Sequence, residues 1–277
     1  MNQRYSPRGF TYLPPVVKNL LIINVIAFLA YIVLNSKYGV NLNSLLGMHY
    51  FASENFKVYQ LVTYMFMHGG FTHLLFNMFA FWMFGYVLEQ VWGSKRFLTF
   101  YFVTGIGAIL IQMLVNFIQF FPIPNAMEIY AAAPSPADFT YLLDSYFNGY
   151  YNKVVVAEFV SQFQEFPNDP GLKLTSVGIL DELYNARINI PTVGASGAVY
   201  GILLAFGMMF PEQRIYVYFL FPIKAKWFVV IFAALSVVMG LSDRPGDNVA
   251  HFAHLGGMIF GYFLIRHWRK NQFNRYN

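Results

Sequence analysis

Six stretches of this 277-residue chain are apolar over roughly the length of a bilayer crossing, and no other feature limits its fold as much. Hydrocarbon offers backbone amides no water, so a run of about 20 apolar residues must satisfy its own hydrogen bonds as a helix. The runs are 16–34, 61–92, 97–121, 192–210, 227–241 and 249–268. The fifth is short. The second carries HGGFTH near its start, where a bent or interfacial entry into the helix is expected. Composition agrees: 57% of residues are hydrophobic and 11% charged, against about 25% charged in a soluble domain. The expected fold class is an all-α membrane protein, a six-transmembrane-helix bundle.

Between the third and fourth runs lies a segment of about seventy residues, 122–191, too polar to span and too long for an idle loop. Part of it reads as helix, with Ser135 at an N-cap and Pro136 in the first turn. It is expected to form a small subdomain outside the membrane. A second segment, 214–227, is apolar but is broken by Pro222 and closed by Lys224 and Lys226. It reads as interfacial. The expected division is a tail at 1–15, a membrane domain at 16–121, the insertion at 122–191, the rest of the membrane domain at 192–268, and a tail at 269–277.

Charge sets the orientation. Six spans bring both termini to one side. That side holds twelve of the 18 lysines and arginines, including Arg4, Arg8 and Arg275, and only Glu89 and Glu212 of the 13 acids. The termini are therefore expected in the cytoplasm and the insertion outside, an extracytoplasmic arrangement typical of a bacterial inner membrane. The net charge of +5 is then a topology signal, and nucleic acid is not an expected partner. Arg4 and Arg8 precede an apolar run without a small-residue cleavage site, so the first span is expected to stay. The chain has no cysteine, which removes disulfides, thiolate metal sites and a cysteine nucleophile, and leaves the redox compartment open.

Polar residues inside spans are costly and tend to mark function. Here they converge. His68, His73 and Asn77 fall in the outer part of the second span, Ser196 near the outer start of the fourth, and His251 and His254 near the outer start of the sixth. At 1.5 Å per residue, Ser196 and His254 are expected roughly 6 and 9 Å below the outer helix ends. Taken singly, each has an ordinary explanation. A serine in a helix often bonds its own backbone or permits close packing, and a histidine at an interface is unremarkable. Jointly they form a nucleophile–base pair, because a neutral imidazole can take the proton that keeps a hydroxyl unreactive. Gly197 and Gly201 on one span, and Gly257 and Gly261 on the other, supply the close contact such a pair needs. Tyr200 lies one turn below Ser196 and can stack on the imidazole, while His251 is expected at the rim. For an oxyanion, His73 or Asn77 can donate, as can the backbone N–H at Ser196. Gly194, Ala195 and Gly197 are expected to leave room for a substrate backbone. No carboxylate is placed to complete a triad.

GASG at 194–197, AHLGGMIFG downstream and HGGFTHLLFN upstream resemble the motifs of the rhomboid intramembrane serine proteases. The resemblance extends to GYVLEQVWGSKRF and GIGA and covers about 16–266. It implies Ser196 as nucleophile, His254 as general base, His73 and Asn77 as oxyanion-hole side chains with backbone help from Ser196 and Ala195, and His68 and Glu89 in structural roles. It implies no cofactor or metal. The partners it implies are single-pass transmembrane substrates cut near the outer face, with the short fifth span as a candidate lateral gate, and membrane lipids. Two features depart from the family pattern: Tyr59-Gln60 stands where many members have Trp-Arg, and the insertion is not a usual feature. The rival readings are an inactive relative that binds membrane clients, a transporter, and a metalloenzyme. A transporter would want charges deep in several spans, where only Asn24 and Gln112 are polar. A metalloenzyme would want HExxH or an accompanying carboxylate.

Overall fold

A computed structural model describes residues 13–217, 221–242 and 249–273. The expectations attached to Arg4, Arg8 and Arg275 lie outside the described residues. In chain order, α1 (Pro15–Tyr38) is followed by the short α2 (Leu42–Leu46) and α3 (Gln60–Thr63), then α4 (Phe71–Trp92) and α5 (Ser94–Phe120). The insertion contributes α6 (Pro122–Ala132), α7 (Pro136–Tyr146), α8 (Lys153–Glu165) and α9 (Pro170–Ile188). The chain ends with α10 (Ser196–Met209), strands β1 (Arg214–Val217) and β2 (Phe221–Lys224), α11 (Ala225–Ser242) and α12 (His251–Phe273).

Four described helices are long and apolar enough to cross a membrane: α1, α4, α11 and the nearly continuous rod of α5 and α6, Ser94–Ala132. The other two expected spans differ in kind. α10 has 14 residues, about 21 Å at 1.5 Å per residue. α12 has 23 residues and ends in a basic stretch. α10 lies at the centre of the bundle, where Gly197, Ala198, Val199, Gly201, Ile202 and Leu203 are all buried. Lipid-facing residues concentrate instead on α1 and α11, where Ile26 and Val238 are largely exposed.

Several sequence boundaries shift for local reasons. The second run does not make one helix. It passes through α3 and a 3-10 turn at Tyr64–Phe66, and α4 begins only at Phe71. Met67 is extended and Gly69-Gly70 follow, so His68 sits in a loop before the helix rather than within it. The fourth run also starts late. Thr192 forms an antiparallel bridge with Met48, and Gly194 has φ +125, a backbone state that side chains disfavour. Ser196 is therefore the first residue of its helix, not a residue one turn inside. Segment 214–227, expected to be interfacial rather than spanning, contains β1 and β2, which pair antiparallel with Arg214 opposite Lys224. Beside them Glu212 accepts hydrogen bonds from Lys224 at 2.8 Å and from Lys226, and these hold its carboxyl down at about 2.

The insertion is helical throughout most of its length. Ser135 caps α7, its Oγ accepting from the Asp138 amide at 3.2 Å. The insertion has its own apolar core, with Phe139, Phe147 and Phe163 fully buried. That core also takes in Phe120 of α5 and Tyr50 of the first loop, so the insertion is fastened to the bundle by shared packing.

Close approach of α10 to α12 and α5 is made by missing side chains. A Cβ at Gly257 would lie 1.8 Å from the carbonyl oxygen of Gly197. At Gly201 it would lie 2.7 Å from Thr104 Cβ, and at Gly197 2.4 Å from Ala108 Cβ. A Cβ at Gly261 would lie a looser 3.4 Å from the carbonyl oxygen of Gly201.

At the opposite end of the bundle, Glu89 is 2% exposed. Its carboxylate accepts from the amides of Val16 at 3.0 Å and Val17 at 2.8 Å, and from Ser94 Oγ at 2.7 Å. α1 begins with Pro14-Pro15 and has no side-chain cap of its own. The distant carboxylate fills that place and sets a negative charge at a helix N-terminus. Two outcomes are expected in thermal unfolding of the detergent-solubilised protein. Glu89→Ala leaves the buried Val17 amide without an acceptor and should lower stability by about 1–3 kcal/mol. Gly257→Ala should destabilise by about 1–3 kcal/mol or more through overpacking against backbone, and Gly261→Ala clearly less.

Candidate active site

The first residue of α10 and the fourth residue of α12 meet. Ser196 Oγ lies 2.8 Å from His254 Nε2, a full hydrogen bond. The contact follows from the glycine packing: with Gly257 seated on Gly197, the helix turn carrying His254 is level with Ser196. Tyr200, one turn along α10, lies flat on the imidazole, with ring centroids 4.0 Å apart and planes 9° from parallel. His254 is 6% exposed. His251, expected at the rim, is instead 8% exposed; it opens α12 and lies edge-on to His254 at 5.9 Å.

The α4 residues approach from the other side. The Gly69 amide donates to Nδ1 of His73 at 3.3 Å. With Nδ1 accepting, a neutral His73 carries its proton on Nε2. That nitrogen faces the serine loop: a Cβ at Gly194 would sit 2.9 Å from it and 3.6 Å from Ser196 Oγ. Asn77 is one turn further along α4 and buried, and its amide donates to the His73 carbonyl at 2.9 Å. His68 is 1% exposed and meets His73 edge-on at 5.2 Å. Its carbonyl accepts from Asn43 Nδ2 at 3.0 Å, which ties the first loop to this turn.

A cavity of about 810 Å³ joins these groups. Asn43, His73, Asn77, Gly194, Ser196 and His254 line it. Ala195, expected to contribute to anion binding, is 1% exposed and absent from the lining. The expected use of the small residues needs correction too. Gly194 makes room for the His73 ring, and Gly197 is consumed by packing against α5 and α12, so neither is simply open space for a substrate. The Gly194 amide donates to the Tyr64 carbonyl at 2.9 Å, and the Tyr64 hydroxyl donates to the Gly105 carbonyl at 2.6 Å. Asn43 and Tyr64 were not legible as site residues. One sits in an ordinary polar loop and the other in an apolar run, and only long-range contacts bring them in.

Tyr59-Gln60 has a clear structural use. Gln60 is 1% exposed. Its Oε1 accepts from the amides of Lys57 at 3.0 Å and His49 at 3.4 Å, and its Nε2 donates to the carbonyls of Asn55 at 2.9 Å and Leu45 at 3.2 Å. One carboxamide thus holds the loop between α1 and α4. Among the described residues, no group of three histidine or carboxylate side chains is placed to hold a metal ion.

The model of the Rhomboid domain matches residues 55–166 and 171–270, which is most of the chain. The chain belongs to the rhomboid family. With its apolar spanning helices, it is a multi-pass integral membrane protein. Curated relatives include an uncharacterized mitochondrial rhomboid protein of Schizosaccharomyces pombe, 33% identical over 28% of this chain and 21% of that protein. They also include the mitochondrial rhomboid protein 1 of Saccharomyces cerevisiae, 32% identical over 32% of this chain and 28% of that protein. A third is rhomboid-like protease 3 of Toxoplasma gondii, 34% identical over 36% of this chain and 40% of that protein. The chain thus matches less than half the length of each.

If the ring of His254 is held by Tyr200, the aromatic face should matter more than the hydroxyl. Tyr200→Phe should keep thermal stability near that of the parent, whereas Tyr200→Ala should lose about 3–5 kcal/mol through the removed ring. Thermal unfolding of both variants checks this.

Proposed function

We propose that this rhomboid is an intramembrane serine endopeptidase working with a Ser-His dyad. The observation that carries the reading is the 2.8 Å contact between Ser196 Oγ and His254 Nε2 in a cavity of about 810 Å³. His254 takes the Ser196 proton as the hydroxyl oxygen attacks the scissile carbonyl. The imidazolium then protonates the departing amine, leaving an acyl-enzyme. Water repeats the sequence: His254 accepts its proton, hydroxide attacks the ester, and Ser196 leaves as the alcohol. The developing oxyanion is met by the Nε2–H of His73, the amide of Asn77 and the first free N–H groups of α10.

The bound segment is a single-pass transmembrane helix, unwound locally, because a helical amide is shielded and already hydrogen-bonded. α11 is the proposed lateral gate, since it presents more lipid-facing surface than the other spans. Six spans, with α10 and α12 counted as crossings, place both termini on the basic side. That charge asymmetry supports a bacterial inner membrane with cytoplasmic termini. The relatives' names, two of them mitochondrial, lend that location no support. The 122–191 segment is proposed as an extracytoplasmic subdomain.

Cleavage of a single-pass reporter in proteoliposomes tests the reading. Ser196→Ala and His254→Ala should each lower the rate by on the order of 10³-fold or more. His73→Ala and Asn77→Ala should each lower kcat by about 10²–10³-fold, with a smaller change in KM. A fluorophosphonate probe should label the parent and not Ser196→Ala. A folded parent that neither cuts nor labels would mean a client-binding protein without peptidase activity.

A further inference from the structure

A second, strongly polar cavity of about 150 Å³ lies beside the catalytic one. It forms where the end of α5, the last turn of α9 and the start of α12 come together, and it shares Pro191, Thr192 and Ala250 with the catalytic cavity as common wall. Gln112, Asn116 and Gln119 of α5 line it, with Tyr150 and Arg187 from the insertion. Among the described residues, no aspartate or glutamate does.

Arg187 is 9% exposed. Its guanidinium lies between the rings of Tyr150, 4.7 Å away, and Phe120, 5.2 Å away. One terminal nitrogen donates to the Tyr146 carbonyl, and Nε is buried without an acceptor. Among the described residues no carboxylate pairs with it; the ion pairs there are those of Glu212. A buried guanidinium left without an anion is costly, and a partner that supplies one gains correspondingly. The neighbouring amides are set to help. Gln112 Nε2 donates to Asn116 Oδ1 at 2.8 Å, which turns the Asn116 amide nitrogen, a donor, toward other partners.

We propose that this cavity is a subsite for a carboxylate: an aspartate or glutamate side chain of the substrate, on the outer flank of the scissile bond. The inference rests on the protease reading and adds a sequence preference to it. The size fits one side chain, since a cavity of about 150 Å³ takes a benzene-sized group. The shared wall fits a segment that runs from Ser196 outward past Thr192. Arg187 pairs with the carboxylate, and Asn116 and Gln119 donate to its remaining lone pairs.

The test uses the full chain in phosphatidylcholine vesicles and a set of single-pass substrates in which one glutamate, or a glutamine control, is moved along the outer flank. The same substrates, as labelled peptides, are titrated onto Ser196→Ala to read binding alone. Glutamate at one position or two adjacent ones should raise kcat/KM roughly tenfold over glutamine, mainly through KM, and tighten binding to match. Arg187→Gln should bring that ratio to one, Arg187→Lys should keep part of it, and Gln119→Leu should reduce it. Fluorophosphonate labelling of Ser196 reports whether each Arg187 and Gln119 variant is folded, and thermal unfolding does so for every variant, Ser196→Ala included. The ratio in the parent protein needs no variant: cleavage that is equally fast with glutamate and glutamine at every position overturns the subsite and leaves the protease intact. Binding that prefers glutamate without any cleavage overturns the protease and keeps the subsite. A dependence of Arg187 variants on added phosphatidylglycerol, with glutamate and glutamine equivalent, would assign the cavity to a lipid phosphate and overturn the proposal.

Discussion

The backbone contact between α10 and α12 governs this structure. Apolar side chains gain little by leaving lipid for a helix interface, so helices in a membrane must associate through close packing and hydrogen bonds. Gly197 and Gly257 provide the packing by removing every atom beyond the backbone, and Gly201 and Gly261 continue it one turn on. Thr104 and Ala108 extend the same tight seam to α5. A rigid seam fixes rotation as well as distance. Once Gly257 rests on the carbonyl of Gly197, the position of His254 relative to Ser196 is no longer adjustable. Site geometry and bundle stability therefore depend on the same atoms.

The shortness of α10 sets where the Ser196 cavity lies. A helix of about 21 Å covers only part of about 30 Å of hydrocarbon, so non-helical backbone must complete the crossing. Buried among its neighbours, it can stop short, and the missing length becomes the cavity at its N-terminal end. Ser196 stands at that end, where the first amides of the helix have no intrahelical acceptors. The non-helical backbone at 192–194 is tolerable there because it lines a cavity and is tied to Met48 and Tyr64 rather than facing lipid. Orientation of the imidazole comes from a ring face: Tyr200 stacks on His254, a contact worth about 0.5–1.5 kcal/mol beyond its burial.

Much of this was written in the sequence, though unevenly. Hydrophobic runs located the long helices within a few residues, because crossing a membrane leaves an unmistakable length of apolar chain. The glycine spacing announced the helix contact, and Tyr200 one turn from Ser196 announced the stack. What escaped were the places where backbone leaves the helix inside an apolar run. HGGFTH pointed to a bent entry into α4, but hydropathy does not register that the helix begins only at Phe71, or that Gly194 delays α10 to Ser196. The pairing of β1 with β2 was hidden for the same reason. Asn43, Tyr64 and Gln60 act through partners tens of residues away, and no local pattern marks them. The small residues around Ser196 were legible as small, but not as packed: only the fold tells a glycine that admits a ligand from one that admits a neighbouring helix.

The insertion is joined to the bundle at one end and to the serine loop at the other, which separates it from an appended domain. It leaves on α5, whose helix runs into α6 as nearly one rod. It returns on α9, only seven residues before Ser196. Just past α9, Asn189 Oδ1 accepts from Ser53 Oγ at 2.5 Å and Asn55 Nδ2 at 2.9 Å, and Thr192 exchanges both backbone bonds with Met48. The first loop and the insertion thus grip the chain on its way to the serine. Arg187 adds a third hold, clasped between Tyr150 of the insertion and Phe120 of α5. A shift of the insertion against the bundle would have to break these polar contacts in nearly the same place, one short step from Gly194. The insertion is in this sense one wall of the Ser196 cavity, and its placement is set by the same long-range contacts that set the serine.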